Sequence, residues 1–302
     1  MLWLIITISA YFFLAVVSLF DRYFLVGSIP NPKVYAFFVG ILGTLLALFL
    51  IPIGITFPEV APVFLLGVGA GFVRIFAILF LAQSIVRSEV SRAVPAIGGF
   101  LPIFSFLLFF LFFPSQESLN LVQIIAFLLL ILGSVLVSLK EFSLRFFSFQ
   151  NLKYPIVASF LFAAAYFLGK ILFLQTDFLS GAFLILLGGG LGALSFLILS
   201  ESRKFILHQK ITQKMSGLFI LGQIFGALGV GALYYAIFLA KPFQVPLINA
   251  LEGLRYVFLL FFVFLVGVKF PQILKEEISR EIIFQKIIAI LLIGGGLTLL
   301  AL

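Results

Sequence analysis

Arg74, Glu252 and Arg255 are charged residues set inside long apolar runs. A charge at the centre of a bilayer costs roughly 2.5–3.5 kcal/mol on insertion scales, so each needs a partner, water or cargo. Arg74 suits an anionic or carboxylate-bearing substrate; the competing role is a structural ion pair with a buried carboxylate. Gly67 and Gly71 precede it on the same helical face. Small residues let helices approach closely, so that face should point into a bundle. Asn249, Glu252, Arg255 and Tyr256 make the most polar of the apolar runs. At about 100° per residue they share roughly a third of a helix circumference and predict a cavity wall. Glu252 is the only carboxylate well inside any apolar run. It could take cargo or a proton, or only pair with Arg255 or Arg74 and fix packing. Gln223 and Tyr234 fall on one stripe with Gly226 between them, and Tyr235 is turned away. Such a stripe holds a small polar ligand by hydrogen bonding and stacking, or simply packs.

Other polar residues have blander readings. Lys170, four residues after Tyr166, is expected to snorkel to the headgroups. Asp21–Arg22 reads as a pair at a helix edge. His208, the only His, lies in a basic stretch, which argues against a metal or catalytic role. With no Cys, thiolate metal sites, disulfides and Cys nucleophiles are excluded. The glycine runs Gly188–Gly192 and Gly294–Gly296 lack a phosphate-loop Lys and predict close helix packing. No metal or other cofactor is expected.

The elements that must position these residues follow from composition. Hydrophobic residues make up 64% of 302 positions and charged residues 10%, against about 25% charged in a soluble domain. The chain therefore reads as a polytopic membrane protein, with a lipid-facing surface to which its 42 Phe are suited. A net charge of +8 resides in membrane-edge loops and is no nucleic-acid signal. The first residues are apolar at once, without the basic start or small-residue cleavage site of a signal peptide, and read as a first span. Runs of about 20 apolar residues place spans near 2–20, 34–53, 60–86, 92–113, 119–139, 154–174, 178–199, 215–240, 244–267 and 283–301. They do not alternate as barrel strands would, so the expected fold is all-α, with ten transmembrane helices.

The chain also repeats itself. Phe160–Lys170 lies over Phe12–Arg22, Gly188 over Gly40, Leu233–Lys241 over Leu79–Arg87, Ala250 over Ala96, Gly253 over Gly99, and Lys286–Ile293 over Gln123–Leu130. Two halves follow: residues 1–139 with five spans and 154–302 with five more, joined by a basic linker at 140–153. Five is odd, so the halves insert in opposite senses as an inverted repeat. Pro95 and Pro102 in the fourth span answer Pro242 and Pro246 before the ninth, and paired helix breaks point to a central site. Basic residues concentrate in loops after odd-numbered spans, such as Arg87 and Arg92, or Arg203, Lys204, Lys210 and Lys214, while Lys241 lies on the other side. The positive-inside rule then puts both termini outside the cytoplasm.

This arrangement resembles the drug/metabolite transporter superfamily, in its EamA-like branch, over nearly the whole chain. Ala15–Arg22 is similar to the family's first helix, with small residues ending on a cation. Ala93–Pro102 resembles its fourth helix, where Pro follows a small-residue stretch. Glu117-Ser-Leu, followed by Gly133, resembles a Gly-Glu-x-Leu element, with Gln116 standing where the family has Gly. The family mostly keeps its termini in the cytoplasm, against the loop charges here. The resemblance implies a non-enzymatic secondary transporter in the inner (plasma) membrane, moving an amino-acid-like, anionic or zwitterionic metabolite by alternating access. The site residues would be Arg74, Gln223, Tyr234, Asn249, Glu252, Arg255 and Tyr256. Expected partners are the small-molecule substrate and the lipid bilayer, with a homodimer left open and no nucleic acid. A flippase of a lipid or lipid-linked sugar is the alternative, and a membrane enzyme a more distant one, since its only adjacent acidic pair is Glu276–Glu277.

Overall fold

In the computed structural model, residues 2–58, 60–87, 90–113, 120–138, 149–208, 213–269 and 280–301 are described. They form an all-α bundle with no strand among them. The helices are α1 (Leu2–Tyr23), α2 (Pro32–Leu48), α3 (Ile51–Gly54), α4 (Ala61–Arg87), α5 (Val90–Phe112), α6 (Leu121–Ser138), α7 (Phe149–Phe173), α8 (Phe178–Ser195), α9 (Ser200–His208), α10 (Gln213–Leu239), α11 (Val245–Ala250), α12 (Gly253–Lys269) and α13 (Arg280–Ala301). Among the described residues, five stretches are long and apolar enough to cross a membrane: Leu2–Ser28, Ala61–Arg87, Leu152–Phe173, Phe178–Ser195 and Met215–Leu239. Shorter apolar helices lie at Pro32–Leu48, Ala96–Phe112, Leu121–Leu136 and Ile287–Leu300. Large apolar side chains such as Leu65, Phe110, Leu111 and Leu291 coat the outside, as lipid contact requires. In such a medium, helices satisfy their own backbone groups.

Every expected apolar run falls on helix, but the boundaries move. α2 starts at Pro32, because the Asn31 side chain accepts from the Lys33 amide and Pro needs no donor at the first position. It ends at Leu48, and α3 closes on Gly54, whose φ of 102° favours glycine. α7 begins at Phe149, inside the expected linker; residues 140–148 of that linker lie outside the described ones, as do Glu117 and Glu276–Glu277. α9 is a helix where a basic loop was expected. α1 runs directly into a π-helical turn, Phe24–Ser28, with the Ile29 amide donating to the Phe24 carbonyl at 2.7 Å.

The proline expectation needs correction. α5 continues through Pro95 and Pro102 without a break, while Pro242 and Pro246 start a 3₁₀ turn and α11 at positions that tolerate a missing donor. The interruption falls instead at Leu251–Glu252, between α11 and α12. There the backbone tightens: the Glu252 amide donates to Asn249, Leu254 to Leu251, and Arg255 to Glu252, at 3.2, 2.9 and 2.9 Å. These three-residue closures replace the α-helical ladder for one turn.

Packing between helices follows the glycines. α4 lies along α7 and α8, α1 along α10, α6 along α13, and α2 along α8. Gly71 meets the backbone of Ile185 and Gly189, Gly188 meets the backbone of Val68, and Gly40 meets Gly189 and Ala193. Gly133 and Gly296 serve the α6–α13 contact, whereas Gly294 and Gly295 face open space. At the end of this seam the loop after α3 is tied to α8. The Thr56 amide donates to Ser180 Oγ at 2.9 Å and its hydroxyl to Asp177 Oδ2 at 3.0 Å, while Asp177 Oδ1 caps the Ser180 amide.

Candidate functional site

The expected site residues fall into two connected layers inside the bundle. The first surrounds the α11–α12 break. Glu252, 5% exposed, sits at that break. Tyr166 on α7 and Tyr234 on α10 pack edge to face with centroids 5.7 Å apart. The Tyr166 hydroxyl lies within electrostatic reach of Arg74, Glu252 and Arg255, and Tyr234 within reach of Arg74. Tyr166 thus links Arg74 and Tyr234 to Glu252 and Arg255, and sequence reasoning assigned it no site role. Asn249 is fully buried, and its amide donates to Ser105 Oγ on α5 at 2.8 Å. Tyr11 on α1 donates to the Ile248 carbonyl at 3.0 Å and feels the charge of Glu252.

The second layer is a ladder of charges from α12 to α1 and α2. Arg255 Nη1 stands 3.4 Å from Glu252 Oε1, its Nη2 4.0 Å from Asp21 Oδ2, and its Nε donates to Ser18 Oγ at 2.9 Å. Tyr35 donates to Asp21 Oδ1, and the Gln223 side chain bonds to Tyr35 in turn. Gln223 therefore belongs to this layer. It stands apart from Tyr234, because eleven residues of helix span about 16 Å. Asp21 is no edge pair with Arg22: it is 6% exposed and joins the ladder.

The wheel drawn through Asn249, Glu252, Arg255 and Tyr256 survives in part: Asn249 and Tyr256 share a face and Arg255 pairs with Glu252, but Arg255 turns to another helix. Asn249 faces α5, Arg255 faces α1, and the Tyr256 hydroxyl reaches Gly98 on α5. Tyr235 is 38% exposed and stacks on Phe238, away from the site. Lys170 does not snorkel. It is 3% exposed and donates to the carbonyls of Ile237, Phe238 and Ala240, closing the C-terminus of α10. His208 lies at the end of α9 with a ring nitrogen 2.8 Å from the Lys204 carbonyl.

Four polar groups of the first layer stand out chemically. Tyr234 Oη, Asn249 Oδ1 and Glu252 Oε2 are buried without a hydrogen-bond partner among the described residues. Arg74 is half-buried and likewise has none there. An unsatisfied polar group in a medium without water is costly, so groups of this kind collect where a ligand or solvent reaches them. A cation, a hydroxyl, an amide oxygen and a carboxylate oxygen together suit a small polar molecule carrying both acceptor and donor groups. Sequence reasoning missed Asp21, Tyr35, Tyr11 and Tyr166; an Asp one residue from a basic helix end was the only local trace.

The fold and this buried site define an all-α protein of membrane type with a polar centre. No protein family and no curated protein matches the chain. Among solved structures, one described only as "Crystal structure of protein" superposes with a TM-score of 0.66 over 98% of this chain and 94% of its own, at 16% identity. That likeness concerns the fold alone.

Proposed function

We propose that this chain is a secondary transporter of the drug/metabolite type, with ten membrane helices in two inverted halves, carrying a small anionic or zwitterionic metabolite across the cell membrane by alternating access. The observation that carries the reading is the set of three buried, unpartnered polar atoms of Tyr234, Asn249 and Glu252, with the half-buried cation of Arg74, inside an apolar bundle. A broken helix at that point, with a carboxylate on the break, is a common transporter arrangement for a site shared between two halves.

Helix pairing supports the two-fold relation. If α1, α2, α4, α5 and α6 correspond to α7, α8, α10, α11–α12 and α13, then α2–α8, α5–α11 and α6–α13 are self-pairs across an axis. The pairs α4–α7 and α1–α10 exchange under it, and all five contacts occur. One pair differs across the axis. α4 is sealed against α8 with backbones in contact along the glycine seam, whereas its counterpart pair, α10 and α2, meets through side chains, Tyr35 and Phe38 against Phe219. Unequal sealing of equivalent seams is what a transporter closed on one side would have. Basic loops put the more loosely packed side in the cytoplasm and both termini outside.

The test is a thermal-stability screen of the purified protein against pools of amino acids, organic acids and nucleotide-free phosphates, with lipid-linked sugars as a separate arm. A ligand of the folded state raises its apparent stability by about 2.7 kcal/mol at a hundred times its Kd. Stabilisation that vanishes in Arg74→Ala supports the reading. Stabilisation by the lipid-linked arm alone favours the flippase, and none from any pool in wild type removes the site.

A further inference from the structure

Two carboxylates and one guanidinium share the buried ladder: Asp21 on α1, Glu252 at the α11–α12 break, and Arg255 between them. All three are less than a tenth exposed. Fully ionised, the trio carries one uncompensated negative charge in a medium that strongly disfavours it. Among the described residues, the groups that face it are Tyr11 and Ser18 on α1, Tyr35 on α2, Tyr166 on α7, Gln223 on α10 and Tyr256 on α12. None of these is a cation. Arg74, the other cation near the centre, has its charge felt by the phenols of Tyr166 and Tyr234. The two carboxylates are also unequally held. Asp21 takes a hydrogen bond from Tyr35 and faces Arg255, whereas Glu252 meets Arg255 through Oε1 and leaves Oε2 without a partner.

We propose that Asp21 and Glu252 share one exchangeable proton across Arg255, held mainly on Glu252, so that the ladder is a proton-binding site. Two like charges bracketing one opposite charge hold a single proton between them, as paired carboxylates do elsewhere. Under the transport reading, on which only this consequence rests, the proton is the coupling ion. An anion held by Arg74 next to Tyr166, which is also within reach of Glu252, adds negative charge on the Glu252 side and strengthens its hold on the proton, so anion and proton travel together.

The proton is read by infrared difference spectroscopy of the full chain in lipid, between neutral and alkaline pH, following the C=O stretch of a protonated carboxyl. Wild type should show that band at neutral pH and lose it at alkaline pH. Asp21→Asn and Glu252→Gln should each abolish it, because a single remaining carboxylate is matched by Arg255. Tyr35→Phe removes a hydrogen bond but no charge and should keep it. Absence of the band in wild type at neutral pH, or its survival in either carboxylate variant, overturns the proposal. The wild-type spectrum decides even where a variant fails to fold. No substrate is needed, so a negative spectrum leaves the transport reading standing, and a negative ligand screen leaves the proton site standing.

Discussion

Gly69 and Gly71 lie two residues apart on α4, yet alanine should act on them in opposite directions. A Cβ on Gly71 would stand 1.8 Å from the Ile185 carbonyl oxygen and 2.6 Å from the Gly189 amide. Ordinary contact begins at 3.4 Å, so 3.4 − 1.8 = 1.6 Å of room must be made. Both obstacles are backbone, so no side chain can swing aside; α4 and α8 must move apart along their seam. A gap of about 0.5–1 Å already forfeits a quarter to a half of each dispersion contact. In a bilayer, packing of this kind is a main source of helix association. Gly71→Ala should therefore cost roughly 1–3 kcal/mol, toward the upper end. Gly69 meets nothing within 4 Å, and there the Ala should stabilise by about 0.5–1 kcal/mol through the backbone alone. The two variants are compared by reversible unfolding in one detergent. The chain has no Cys, so a single Cys introduced at Thr56 also reports whether the wedge opens that end of the seam to a thiol reagent. Equal stabilities for the two variants, with equal labelling, would refute the seam as described.

Arg74→Ala should change stability by less than about 0.5 kcal/mol, since no partner among the described residues is lost, yet it should abolish ligand stabilisation. Arg255→Ala leaves Asp21 and Glu252 buried without their cation and should cost about 3–5 kcal/mol, measured by the same unfolding. Lys170→Met strips three carbonyls at the end of α10 of their donor and should cost about 2 kcal/mol, whereas a headgroup-seeking Lys would be replaced at no cost. Asp177, in the loop between α7 and α8, is pushed up by burial, but hydrogen bonds from Ser180, Thr56 and the Leu179 amide outweigh this and hold it below its ordinary value of 3.8. A depressed carboxylate stabilises above its unfolded pKa and loses that contribution as pH falls through the folded one. Acid sensitivity below about pH 4 should thus weaken in Asp177→Asn, read as melting temperature against pH. A cytosol-only fluorescent reporter fused after Leu302 should stay dark; fluorescence would show that the loop charges mislead about sidedness.

Composition and local pattern were enough to determine the helices, apart from the α11–α12 break, and part of the buried polar set. Apolar runs must become helices in lipid, so each one fell on helix, and Arg74, Tyr234, Asn249 and Glu252 lie inside the bundle because their neighbours in sequence are apolar. The glycine runs likewise carried their own meaning, since only small residues allow backbones as close as Gly188 and Val68. What the chain could not disclose locally is which polar groups meet. Arg255 and Ser18 are 237 positions apart, and nothing near Asp21 marks it as different from any acid at a helix end. Lys170 looked free to reach the headgroups until the end of α10 was found folded over it. The α11–α12 break carries no internal proline, so nothing local marks where the helix is interrupted. Charge pairing and helix interruption are decided by what packs opposite each residue, and in a bundle whose partners come from the far half of the chain, only the tertiary structure supplies that.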